Sequence, residues 1–110
     1  MITTHVLDTS RGVPAPDLSV RLDFRRSNEW VTVGHAKTDS SGRVMSSFSS
    51  APVVPGTYRL TFDTAAYHKA VGVAPFFPEV VVMFDVESGS AHYHVPLLLS
   101  PFGSSTYRGT

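Results

Sequence analysis

The sequence predicts an all-β protein, an antiparallel sandwich that carries one short helix. Three observations lead there. Apolar and polar residues alternate with a period of two along much of the chain. Pro, Gly and Ser punctuate it at short intervals. Only one stretch joins a helix cap to helix-forming residues. With 110 residues the chain suits one domain, 1–110, large enough for a single core and too small for two.

Each element follows from its residues. A short strand is expected at 3–8, ending in HVLD. In DLSVRLDFRR, 17–26, Leu18, Val20, Leu22 and Phe24 alternate with Ser19, Arg21, Asp23 and Arg25, so one face goes to a core. EWVTVGHAKTD, 29–39, is rich in β-branched and aromatic residues and runs into Asp39, Ser40, Ser41 and Gly42, which supply turn chemistry. These two strands form a hairpin. Further strands are read at 56–63, 79–86 and 91–99, with another at STYRG, 105–109. DTAAYHKAV, 63–71, offers an Asp63 cap followed by alanines and Lys69, enough for about two helical turns. Pro96 falls inside an apolar strand, where it forfeits a ladder hydrogen bond and predicts an edge, a bulge or a bend. About seven or eight short strands with one helix make a sandwich.

Charge and cysteine usage exclude several classes of function. Nine Lys plus Arg balance nine Asp plus Glu, scattered singly and in pairs, so neither nucleic acid nor a membrane surface is an expected partner. Cysteine is absent, which rules out disulfides, thiolate zinc sites and a cysteine nucleophile and suits a reducing compartment. MITTHVLDTS lacks a basic region followed by an apolar stretch, and no apolar run approaches the roughly 20 residues that cross a bilayer. The expected location is the cytoplasm.

The candidates for chemistry are histidines. Of the five, His92 and His94 lie two apart on one strand and so share a face. Zinc would need a third ligand, and neither a Cys nor an HExxH pattern supplies one, so no metal is expected. Taken singly, other residues have ordinary readings: His5 as a solvent-facing strand residue, Arg43 as a turn arginine, Tyr107 and Arg108 as a charge-protected edge strand. His35 and His68 show no partner.

The chain as a whole resembles a known family. HYHVPLLLSPFGSSTYRGT at its end, THVLDTSRGVPAPDLSV near its start, the SSGR turn and FFPEVVVMFDV together resemble the 5-hydroxyisourate hydrolases, the enzyme branch of the transthyretin family. The resemblance covers nearly all of the chain. It implies a transthyretin-like sandwich of two four-stranded sheets with one short helix, assembled as a homotetramer, a dimer of dimers. Active sites would lie in the channel where the dimers meet, each drawing on more than one subunit.

Carried over by position, the resemblance implies that His5, from HVLD, Arg43, from the GR turn, His94, from YHVPLLLSP, and the final residue Thr110 are catalytic. Tyr107 is the tyrosine of the family's YRGS ending, and Thr110 stands where that ending has serine. His92 matches a histidine often found two residues before the second one and is assigned, behind the catalytic groups, to substrate binding with His5, Arg43 and Tyr107. Here FGSSTY replaces the commoner YGYSTY. The implied reaction is hydrolysis of a ring amide of 5-hydroxyisourate to 2-oxo-4-hydroxy-4-carboxy-5-ureidoimidazoline, without a cofactor. The base is His94 or His5, with both touching the water or the leaving nitrogen, a contribution of about 10²- to 10⁴-fold. Arg43 stabilises the oxyanion, worth about 3 kcal/mol when well placed, and clamps the planar anionic ring in a way lysine would not. Tyr107 and the Thr110 hydroxyl close the pocket, so the YRGT ending is expected to belong to the site. The alternative is a transthyretin-like carrier of a small ligand; the His, Arg, His set and the YRGS-type ending favour the enzyme.

Overall fold

The computed structural model describes residues 1–46, 48 and 51–110. Alternation decides most of its strands. β1 (Ile2–Asp8) sends Ile2, Thr4, Val6 and Asp8 to one face, leaving Thr3, His5 and Leu7 on the other. β2 (Val13–Pro14) and β5 (Arg43–Val44) are two residues each and both pair with β1, at Leu7–Asp8 and at Thr4–His5 respectively. They share one position in the sheet. β8 (Tyr93–Ser100) lies on the other side of β1, followed by β9 (Gly103–Thr106). That sheet is four positions wide. The second sheet has the order β4 (Glu29–Lys37), β3 (Ser19–Arg26), β6 (Gly56–Phe62), β7 (Val80–Val86).

The sandwich is antiparallel except at the centre of the first sheet, where β1 and β8 run parallel. A parallel pair needs a long crossover, and here the whole second sheet supplies it. The hairpin of β3 and β4 turns at Ser27 and Asn28, with φ of 50° and 66°. Two successive positive φ values make the hairpin turn whose twist matches the strands. α1 (Thr64–Ala70) starts where expected: the Asp63 carboxylate accepts from the Ala66 N–H at 3.2 Å, satisfying one orphan donor of the first turn.

The core lies between the sheets. Val6, Leu97 and Leu99 from one sheet meet Val20, Leu60 and Phe62 from the other, all essentially inaccessible to water. Truncating a leucine there to alanine costs about 2–5 kcal/mol. Two carboxylates are also buried and fully partnered. Asp8 accepts from the Tyr67 hydroxyl at 2.7 Å and from Ser10 and Arg11, which docks the helix on β1. Burial pushes the Asp8 pKa up, but the hydrogen bonds from Tyr67, Ser10 and Arg11 outweigh it and hold it below the usual value. Asp23 is held low in the same way by Arg59, Thr32 and Arg21 against its burial.

Two expectations change. The last strand covers 103–106 and not 105–109; Tyr107 and Arg108 lie beyond it, and the chain rejoins β8 through a single bridge, His94 with Gly109. Pro96 is not at an edge. It sits in β8 between β1 and β9, buried, and its register partner across β9's line is the unpaired Tyr107. The carbonyls of His94 and Pro96 accept from the β9 side, so the missing N–H of Pro96 faces the interruption in that ladder.

Candidate active site

A tight turn sets the arginine. The Asp39 carboxylate accepts from the backbone N–H groups of Ser41, at 2.8 Å, and Arg43, at 3.0 Å, while the Asp39 carbonyl accepts from Gly42 N–H. Gly42 has φ of +75°, and a Cβ there would run into the carbonyl of Val6; only glycine makes this turn at low cost. The N–H of Arg43 above all, then that of Ser41 and the charges on Arg43 and His5, hold the Asp39 carboxyl below its ordinary value against a burial cost. Arg43 then enters β5 directly opposite His5.

His5 is oriented from the same turn. Its Nε2 lies 2.9 Å from the Ser41 carbonyl. A carbonyl only accepts, so Nε2 carries a proton and Nδ1 is the ring nitrogen turned away from the turn. His5 is thereby held by its Nε2 on the turn, at the strand position opposite Arg43.

The second histidine is held from three sides. Thr3 pairs with His94 across β1 and β8, and its Oγ1 lies 2.7 Å from His94 Nδ1 and 2.8 Å from His92 Nε2. With Nδ1 so occupied, Nε2 is the nitrogen left for a ligand. Gly109 donates its N–H to the His94 carbonyl at 2.8 Å. A Cβ on Gly109 would stand 2.6 Å from His94 Cδ2, so the backbone of the tail packs directly against the ring. Burial first, then the charges of His92, Arg43 and His5, push the His94 pKa below its ordinary 6.5. His94 is therefore neutral at pH 7, as a general base must be.

The structure thus brings Arg43, His5, His92 and His94 together on one face of the first sheet, opposite the core. Tyr107 joins them only through His94: the two line a cleft of 240 Å³ with Phe84, Val95 and Arg108. Arg108 stacks over the Tyr93 ring at 4.7 Å. Thr110 is exposed directly after Gly109, and among the described residues no hydrogen bond links it to the histidines or Arg43. No group of three or more His, Asp or Glu among the described residues is placed to hold a metal ion. Sequence reasoning missed Thr3 and Gly109. The period of two could have found Thr3, which shares a strand face with His5.

Known proteins resemble this chain in sequence and in backbone. The pattern of the HIUase/Transthyretin family matches residues 2–109. A probable 5-hydroxyisourate hydrolase of Caenorhabditis elegans is 42% identical over 109 residues, 99% of this chain and 81% of that one. Among solved structures, the 5-hydroxyisourate hydrolase of Klebsiella pneumoniae superposes with a TM-score of 0.85 at 36% identity, covering 99% of this chain and 98% of that one. Sea bream transthyretin, solved with thyroxine, gives a TM-score of 0.92 at 30% identity, covering 99% and 94%. The backbone likeness is greater to the transthyretin and the sequence likeness greater to the hydrolase; a shared backbone hosts different functions, and the site residues decide between them. The sequence match over nearly its full length, the two-sheet sandwich and the fold neighbours agree: this chain belongs to the HIUase/Transthyretin family.

Proposed function

We propose that this chain, acting as one domain over 1–110, hydrolyses a ring amide of 5-hydroxyisourate in urate degradation. The observation that carries the reading is the shared sheet face on which a neutral His94, an oriented His5 and Arg43 come together. Water bound at His94 Nε2 gives up its proton as its oxygen attacks the ring carbonyl. Negative charge grows on the carbonyl oxygen, and the guanidinium of Arg43 meets it with fixed donors. His5, through Nδ1, accepts from the substrate ring or from the water. His92 and Tyr107 border the bound ring, and the Thr110 hydroxyl closes the pocket. Nothing in this reaction needs a cofactor, since water is the only other reactant.

A homotetramer, a dimer of dimers, is part of the proposal. The outer edges of β7 and β9 pair with no strand among the described residues, and such edges are natural sites for joining a second copy. Val81 and Met83 on β7 are half-exposed and carry no charge to discourage it. A cytoplasmic location also belongs to the proposal, supported by the cysteine-free sequence.

The carrier alternative rests on the backbone likeness to transthyretin and is separated by turnover. Urate is oxidised to 5-hydroxyisourate, and its absorbance is followed with protein far below the substrate concentration. An enzyme speeds the decay through many equivalents. A carrier would bind at most its own stoichiometry, and decay at the spontaneous rate would reject the hydrolase reading.

A further inference from the structure

The hydroxyl of Thr3 touches two imidazoles and has one proton. Thr3 is fully buried, yet its Oγ1 is within 2.8 Å of His92 Nε2 and 2.7 Å of His94 Nδ1. A hydroxyl donates once and accepts on its lone pairs. Two bare nitrogens cannot share the single Thr3 proton, and two N–H donors would leave the O–H of this fully buried residue without an acceptor, so every group is satisfied only when one imidazole presents N–H to Thr3 and the other presents a bare nitrogen. The tautomers of the two histidines are therefore linked. If His94 holds its proton on Nδ1, then His92 accepts at Nε2, and His94 Nε2 is bare. If His92 donates from Nε2, then His94 accepts at Nδ1 and its Nε2 carries the proton.

We propose that Thr3 is a positioning residue that keeps the His94 Nε2 lone pair toward the substrate and lets His92 share the proton that His94 takes from water. The proposal rests on the reading of His94 as general base. At rest, His94 Nδ1–H donates to Thr3 Oγ1, and the Thr3 hydroxyl donates to His92 Nε2, whose ring is protonated on Nδ1. As the water oxygen bonds to the carbonyl carbon, its proton moves to His94 Nε2. The Nδ1 proton of His94 then passes to Thr3 Oγ1 while Thr3's own proton passes to His92 Nε2. The charge now sits on His92, and His94 is neutral with its proton on Nε2. When the ring C–N bond breaks, the leaving nitrogen takes that proton, and the chain runs backward to restore the resting state. No atom or electron is left over.

Solvation explains why sharing helps. His92 is exposed, whereas His94 is partly buried beside Arg43 and His5, where an extra positive charge is disfavoured. The titratable or charged groups facing His94 are His92 on its own strand, His5 from β1 and Arg43 from β5, with Tyr107 of the tail lining the same cleft; Asp85 of β7 is exposed and bonded to Thr57, and Arg108 is stacked on Tyr93.

Nitrogen-15 NMR of the histidine rings reads the tautomers directly and needs no turnover. The expected parent spectrum has His94 protonated on Nδ1 and His92 bare at Nε2; His94 protonated on Nε2 in the neutral parent would overturn the proposal. Thr3→Val keeps the shape and removes the hydroxyl. It should leave His94 in mixed tautomers and lower kcat by about 10- to 100-fold with KM little changed, since general-base help is lost and binding is not. Thr3→Ser should restore both the tautomer and most of the rate. A folded Thr3→Val variant with the parent tautomers and the parent kcat would refute the coupling. Parent tautomers as expected, in a protein that does not accelerate 5-hydroxyisourate decay, would reject the hydrolase reading and the shared proton with it, and leave only the tautomer linkage.

Discussion

Gly109→Ala should damage catalysis far more than folding. The added Cβ would lie 2.6 Å from His94 Cδ2 and 3.3 Å from both His94 Cγ and Pro96 Cγ, whereas ordinary contact begins at 3.4 Å, so ring or tail must give by about 0.8 Å. The ring is not free to swing, because Thr3 holds its Nδ1 at 2.7 Å. Pro96 is buried in a central strand and does not yield either. Misplacing a catalytic group by about 1 Å can cost about 10²-fold, so a loss of 10- to 100-fold in kcat/KM is expected, roughly 1.4–2.7 kcal/mol of transition-state stabilisation. The fold loses at most the bond from Gly109 N–H to the His94 carbonyl, about 1 kcal/mol. Initial rates of 5-hydroxyisourate decay and a thermal melt of the same preparation measure the two effects. Parent rates in the alanine variant would mean that the tail does not press on the histidine, and the packing inferred between them would be wrong.

Three other perturbations separate the roles of single groups. Arg43→Lys keeps the charge and loses the planar fork, so kcat/KM should fall at least about tenfold, near 1.4 kcal/mol; full activity would reduce the arginine to a point charge. Tyr67→Phe leaves a buried Asp8 oxygen without its 2.7 Å partner; it should cost about 1–3 kcal/mol in a denaturant titration while changing kcat by less than about threefold. Because the folded His94 pKa lies below 6.5, the ring stays neutral until the pH falls under that value. The acid limb of kcat/KM should therefore have its midpoint below 6.5, and stability should fall over the same window, since the unfolded chain takes up that proton first. A midpoint above 6.5 would assign the limb to another group.

Much of the sandwich was legible because alternation is a long-range signal that several residues repeat. Leu18 to Phe24 fixed β3, Asp63 fixed the helix start, and Asp39 to Gly42 fixed the turn that delivers Arg43. β2 and β5 were not legible, since two residues cannot display a period. β9 was misplaced because Gly103 and Ser104 are poor strand formers, while Tyr107 is a good one that Pro96 leaves unpaired. Within the site, His5, Arg43, His92 and His94 carry functional groups that announce themselves through a motif. Thr3 and Gly109 do not. A threonine in a strand looks like an ordinary β-branched residue, and the role of Gly109 is an absent side chain, visible only once the His94 ring is seen beside it.

The most direct test of the central claim is the turnover of His94→Asn beside the parent. Both are assayed on freshly generated 5-hydroxyisourate with protein far below substrate, and circular dichroism checks that the sandwich persists. If water is activated at His94, the parent accelerates decay and the variant loses about 10²-fold or more of that acceleration. A folded His94→Asn variant that matches the parent rate would contradict a catalytic role for the face that joins His94 to His5 and Arg43.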